Sequence, residues 1–156
     1  MRRALQQRTI LAAVAATALV SLAFAPPLCA QAAAVSVADL PLVEVPATAG
    51  ESRLFAVFFT GDGNFAALDK GVAAELTDRG IPVVAFNQRS YLWSGKTPEQ
   101  TGADLARILA WYRAKWKRDS LVVIGYSRGA GTVPFAVNRL PDALRAHQQV
   151  FDETGG

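Results

Sequence analysis

Leu121-Val122-Val123-Ile124-Gly125-Tyr126-Ser127-Arg128-Gly129-Ala130-Gly131-Thr132 decides how the rest of the chain is read. The first four residues are uniformly apolar, as in a strand buried on both faces. The last four are small and suit the start of a helix packed close to that strand. Between them, Gly125-x-Ser127-x-Gly129 has the spacing of a nucleophile elbow, a sharp and strained turn that lifts a serine hydroxyl above the edge of a sheet. Glycines stand two residues to either side because side chains there would clash with the strand or the helix. The five-residue pattern is weak alone, since a glycine-rich strand-to-helix turn matches it too; the strand before and the helix start after give it weight. Ser127 is therefore the candidate nucleophile, Gly125 and Gly129 are the elbow glycines, and the backbone N–H of Arg128 is the first candidate donor of an oxyanion hole.

Working outward, the segment before the elbow repeats strand and helix. Leu54–Thr60 (LFAVFFT) is a second apolar run and predicts a buried parallel strand. Gly61-Asp62-Gly63-Asn64 follows, where the second oxyanion donor is expected, so the backbones of Gly61 and Asp62 are the candidates. Asp62 itself has three readings: a helix cap, a contact to a polar head group, or a residue that favours the turn. A helix is expected from Phe65 to Arg79, with Leu68, Val72 and Leu76 on its apolar face and Gly80 at its end. Ile81–Phe86 predicts another buried strand, and Asn87–Lys96 a loop in which Tyr91-Leu92-Trp93 either lines a pocket or packs on the sheet edge. Thr97-Pro98-Glu99-Gln100 is a capping box with proline at the first helical position. The helix it opens carries Leu105, Ile108, Leu109, Tyr112 and Trp116 as its apolar stripe and ends in Lys115, Lys117 and Arg118, cations that suit the negative end of the helix dipole. Leu40–Val45, interrupted by Pro41, is at best an edge strand. The fold class is α/β: a parallel sheet with crossover helices, in which ligands bind beyond the carboxyl ends of the strands.

The first thirty residues are of a different kind. Arg2, Arg3 and Arg8 precede an uncharged run from Thr9 to Ala25, and Leu28-Cys29-Ala30 supplies small residues before Gln31. This is the layout of a secretory signal peptide, with cleavage expected after Ala30 and residues 31–39 as a small, polar linker. The alternative is an inner-membrane anchor with the domain facing the periplasm. The chain has 16 Lys+Arg and 13 Asp+Glu; the leader holds three of the arginines and no acid, leaving 13 of each. The basic excess belongs to the leader, so nucleic acid is not an expected partner. The single cysteine, Cys29, is also in the leader, so the remaining residues hold no disulfide framework, thiolate or zinc cluster, and no cofactor or metal is expected.

A serine nucleophile needs an acid and a base, and in this fold they follow it as Asp or Glu and then His. The only histidine is His147, just after the helix that follows the elbow, where no further strand is expected before it. It reads as a residue of an irregular tail, 147–156, rather than as a general base, and Asp142, Asp152 and Glu153 are no better placed as the acid. The domain from 40 to 146 is expected to be the N-terminal part of an α/β-hydrolase fold, with the outer edge of the Ser127 strand left open.

From Asp39 to Ala146 the chain resembles the VirJ/AcvB family of bacterial virulence proteins. The resemblance is carried by Leu40-Pro41-Leu42-Val43-Glu44-Val45-Pro46, Gly61-Asp62-Gly63, Arg79-Gly80-Ile81-Pro82-Val83-Val84, Tyr91-Leu92-Trp93-Ser94, Lys96-Thr97-Pro98-Glu99-Gln100, the elbow itself, and Pro134-Phe135-Ala136-Val137-Asn138-Arg139-Leu140-Pro141. It implies an α/β-hydrolase fold, a periplasmic setting and, for some members, hydrolysis of aminoacylated phosphatidylglycerol with Ser127 attacking the aminoacyl ester. The implied partners are a lipid head-group substrate at the membrane surface and, for other members, secretion-system proteins. The chain departs from the family pattern at Arg128, where an aromatic residue is usual, at Gly131, where an acid is common, and in lacking the distal part that supplies the acid and the histidine. The alternative reading is a non-catalytic periplasmic binding or secretion-associated protein, or an inactive fragment.

Overall fold

The computed structural model describes residues 35–145 and 148–150; the leader, His147 and the last six residues lie outside that range. Strands β1 (Leu42–Val45), β2 (Leu54–Phe59), β3 (Val83–Phe86), β4 (Ser120–Gly125) and β5 (Gln148–Val150) form one sheet in the order β1-β3-β2-β4-β5. β1 runs antiparallel to β3, while β2, β3, β4 and β5 are mutually parallel. Helices α1 (Ala67–Asp78), α2 (Gln88–Leu92), α3 (Pro98–Trp116), α4 (Arg128–Val137) and α5 (Asp142–Arg145) complete the described elements.

The central strands are apolar on both sides because both faces are covered. Phe55, Val57 and Phe59 of β2 join Val84, Phe86, Leu121 and Val123 in a core against α3 and α4. Ala56, Phe58, Val83 and Val122 point the other way, into a smaller core with Ala73, Val72 and Leu76 of α1. The chain leaves β2 toward β3 on one face and crosses back from β3 to β4 over the other. Right-handed crossovers in opposite directions must use opposite faces. The loops after the neighbouring strands β2 and β4 therefore diverge, and a crevice opens between them at the carboxyl edge.

Most expected elements are present. The capping box of α3 forms in both directions: Gln100 N–H donates to Thr97 Oγ1 at 3.2 Å and Thr97 N–H to Gln100 Oε1 at 2.9 Å. Leu105, Ile108, Leu109 and Tyr112 are buried, with Trp116 packed at the margin of the core.

Five expectations are revised. Residues 147–156 do not form an irregular tail throughout, since Gln148–Val150 pair in parallel with Leu121–Val123 and give β4 a neighbour on its outer edge. Residues 35–39 are not a free linker: Val37 is buried, and Arg107 holds the segment by donating to Ser36 O at 3.1 Å and to Asp39 Oδ2 at 3.1 Å. Asn87–Lys96 is not all loop, because Asn87 caps α2 by accepting from Ser90 N–H at 3.1 Å. α1 buries Asp69, Ala73 and Thr77 rather than Leu68, which is 48% exposed; Val72 and Leu76 pack at the margin of the core, and Asp69 turns in to accept from Ala66 N–H at 2.8 Å. The helix after the elbow begins at Arg128, ahead of the small residues Gly129–Thr132 expected to open it.

Glu44 of β1 ties the edge strand to α3. Its carboxylate accepts from Lys115 Nζ at 2.6 Å and from Tyr112 O–H at 2.8 Å. The Lys115 bond, chiefly, holds the Glu44 carboxyl below its usual range, while burial and then the bond to Glu44 push the Tyr112 phenol up. A carboxyl lowered in the folded state stabilises above its unfolded pKa, and that contribution fades as pH falls below about 5. Glu44→Gln is expected to lower the Tm at pH 7 by more than at pH 3. A Tm gap of equal size at both pH values would refute the assignment.

Candidate active site

The elbow is built by three close approaches. Ser127 sits at φ 53° and ψ −115°, a conformation that residues with a Cβ rarely adopt. Tyr126 N–H donates to Phe59 O at 3.0 Å, which ties the turn to the end of β2, and Gly129 N–H donates to Tyr126 O at 2.8 Å, which closes the turn. A Cβ on Gly129 would lie 2.1 Å from Phe59 O, and one on Gly125 would lie 2.7 Å from Ala130 Cα. Both elbow glycines are therefore demanded by backbone proximity. Ser127 itself is exposed.

The loop after β2 comes to the same place. A Cβ on Gly61 would stand 3.2 Å from the Tyr126 ring and 3.3 Å from Ser127 Cβ, so Gly61 borders the nucleophile directly. Asp62 and Arg128 face each other across the crevice and form an ion pair between Oδ1 and Nε, with side chains 59% and 49% exposed. A pair this exposed adds little stability, at most about 1 kcal/mol; what it does is join the two loops that flank Ser127. Arg128 is the first residue of α4, so its N–H is among the first-turn donors with no partner inside the helix. The positive end of a ten-residue helix thus points at the space above Ser127.

Residues that sequence reasoning passed over support this arrangement. Thr60, fully buried at the end of β2, accepts from Gln88 N–H at 3.2 Å and donates to Gly61 O at 3.3 Å, fixing the loop from below. Arg89 donates to Asp62 O at 3.5 Å from outside. The only available signal for Thr60 was a hydroxyl closing an otherwise apolar run. Tyr91 and Trp93, read together as a pocket or packing pair, separate: Tyr91 is buried with its O–H on Asp104 Oδ2 at 2.8 Å, and Trp93 is 86% exposed.

Ser127, Gly61, Asp62 and Arg128 are thus brought together, with Gly125 and Gly129 beneath them. No described residue contributes an imidazole, and His147 lies outside the described range. Open concavities lined by Arg53, Lys117 and Asp119 and by Ala110, Arg113 and Leu144 lie at the opposite edge of the sheet.

Sheet order, crossovers and elbow together define a protein of the α/β-hydrolase fold. Residues 53–152 match the family described as bacterial virulence protein VirJ, and the chain belongs to that family. The chain's fold is similar to that of a lidless α/β serine hydrolase from Xanthomonas campestris, with a TM-score of 0.50 and 21% identity over 73% of this chain. The match spans 59% of that hydrolase's length. No curated protein matches the chain.

Proposed function

We propose that this chain carries the nucleophile and oxyanion elements of an exported serine ester hydrolase, and that its substrate class is the aminoacyl ester of a phosphatidylglycerol head group at the periplasmic membrane surface. The observation that carries the reading is the Ser127 backbone, held in a strained conformation at a switch point with Gly61 beside it. Ser127 Oγ attacks the ester carbonyl carbon, and its proton passes to a general base. The resulting oxyanion accepts from Arg128 N–H and from an N–H of the Gly61-Asp62 turn. Collapse expels the glycerol hydroxyl, and water then releases the amino acid from Ser127. A substrate of this class carries an ammonium and a phosphate; beside Ser127 stand the carboxylate of Asp62 and the guanidinium groups of Arg128 and Arg89, both in contact with Asp62.

The second reading is ligand capture without turnover at the same residues. One experiment separates the two. The full chain is treated with a soluble fluorophosphonate, with and without added imidazole, and labelled peptides are identified by mass spectrometry. Labelling at Ser127 that is lost in Ser127→Ala is expected, and acceleration by imidazole marks a site short of its base. Absence of label under both conditions removes the hydrolase reading and leaves capture.

A further inference from the structure

α2 leaves the carboxyl end of β3 and so stands at the same sheet edge as Ser127. Its inner face is committed: Tyr91 is 2% exposed with its ring 4.4 Å from that of Phe86, and Gln88 is fully buried. Its outer face carries Arg89 and, four residues on at the helix end, Trp93, positions that are neighbours on a helix surface. Trp93 is 86% exposed, more than any other large apolar side chain described. Arg89 reaches Asp62 O, Asp62 pairs with Arg128, and Arg128 follows Ser127, so a line of contacts runs from Arg89, on the same helix face as Trp93, to the nucleophile. Leu68, in the first turn of α1 at this edge, and Tyr126 beside Ser127 are also exposed, at 48% and 45%.

Such a rim has a specific chemistry. An indole is apolar with one polar N–H and settles at the head-group level of a bilayer. The guanidinium of Arg89, four residues before Trp93, and that of Arg128, paired with Asp62, suit phosphates at an anionic surface. We infer that this rim docks on an anionic lipid bilayer, with Trp93 inserted among the head groups and Arg89 and Arg128 facing lipid phosphates, so that Ser127 is held against the membrane. The inference deepens the reading of a lipid ester substrate and rests on it for its purpose, but not for its geometry.

The test uses the full chain and vesicles of brominated phosphatidylglycerol mixed with phosphatidylcholine. The leader holds no tryptophan, so quenching of tryptophan emission reads the folded domain whatever the leader does. Emission is expected to be quenched in wild type and unquenched in Trp93→Phe, with much weaker quenching by vesicles of brominated phosphatidylcholine alone. Trp93→Ala is expected to weaken vesicle binding about tenfold, from the loss of indole burial. Arg89→Gln is expected to weaken it about fivefold at low salt. No quenching in wild type, equal quenching in Trp93→Phe, or equal quenching by phosphatidylcholine alone would overturn the inference and leave the rim as a face for a protein partner. Phosphonate labelling is measured without vesicles, and Ser127→Ala is expected to keep the quenching while losing the label, so the two readings fail separately.

Discussion

Gly129→Ala is expected to cost the domain more than about 4 kcal/mol, enough to lower its Tm by roughly 15 °C or to leave it unfolded at 37 °C. The added carbon would lie 2.1 Å from the oxygen and 2.6 Å from the carbon of the Phe59 carbonyl. Those atoms are backbone of β2, which is paired on both sides, by β3 and by β4, so they have nowhere to go. The alternative is to move α4 away from the sheet, which would open the core around Val133 and Ala136 and break the Tyr126 N–H to Phe59 O bond. Either relaxation removes a large part of the 5–15 kcal/mol that keeps a domain folded. Gly131→Ala is the control: nothing lies within 4 Å of its added carbon, and replacing a helical glycine should gain about 0.5–1 kcal/mol. Thermal unfolding of the two variants by circular dichroism decides it. A Gly129→Ala protein that melts within a few degrees of wild type would mean that the approach of α4 to β2 is looser than described.

The same glycines explain why so much of the fold is legible from residue order alone. A strand buried on two faces leaves an unbroken apolar run, and LFAVFFT and LVVIG are such runs; an elbow leaves glycines at fixed spacing because backbone, not side chain, is what they touch. These signals are local. What was missed depends on contacts distant in sequence. Nothing within 35–39 announces that Arg107, some seventy residues away, will hold it. Gln148–Val150 is too short and too polar to read as a strand, and it becomes one because β4 offers an unpaired edge. α2 has no apolar period because, of its five residues, only Gln88 and Tyr91 are buried, with Leu92 packed at the margin of the core. The candidate site divides in the same way. Ser127, Gly125 and Gly129 are written in one pentapeptide, whereas the tie from Arg89 to Asp62, and the prop of Thr60 under Gly61, exist only once β2, β3 and β4 lie side by side.

Replacing Ser127 is expected to separate strain from chemistry, and the two smallest substitutes do so by different amounts. Ser127 at φ 53° and ψ −115° occupies backbone space in which a Cβ is crowded, at a cost of about 1–3 kcal/mol. Ser127→Ala keeps the Cβ and so keeps the strain. It should lose phosphonate labelling completely and change the Tm little, because the exposed hydroxyl makes no hydrogen bond with another described residue. Ser127→Gly loses the label equally but releases the strain, while giving back about 0.5–1 kcal/mol through the greater freedom of glycine in the unfolded chain. The expected net is a glycine variant more stable than both the wild type and Ser127→Ala by about 1 kcal/mol, read as a higher urea midpoint at an unchanged slope. The comparison between Ala and Gly is the informative one, since both lack the hydroxyl and differ only in the carbon that the backbone resists. If Ser127→Gly is the less stable of the two, the turn is not strained, and the argument that this position is built to present a nucleophile loses its physical basis. If it is the more stable, the chain is maintaining a serine at a position where glycine would fold better. A cost of that kind is retained where the side chain itself is used, which is what the proposed role of Ser127 as nucleophile requires.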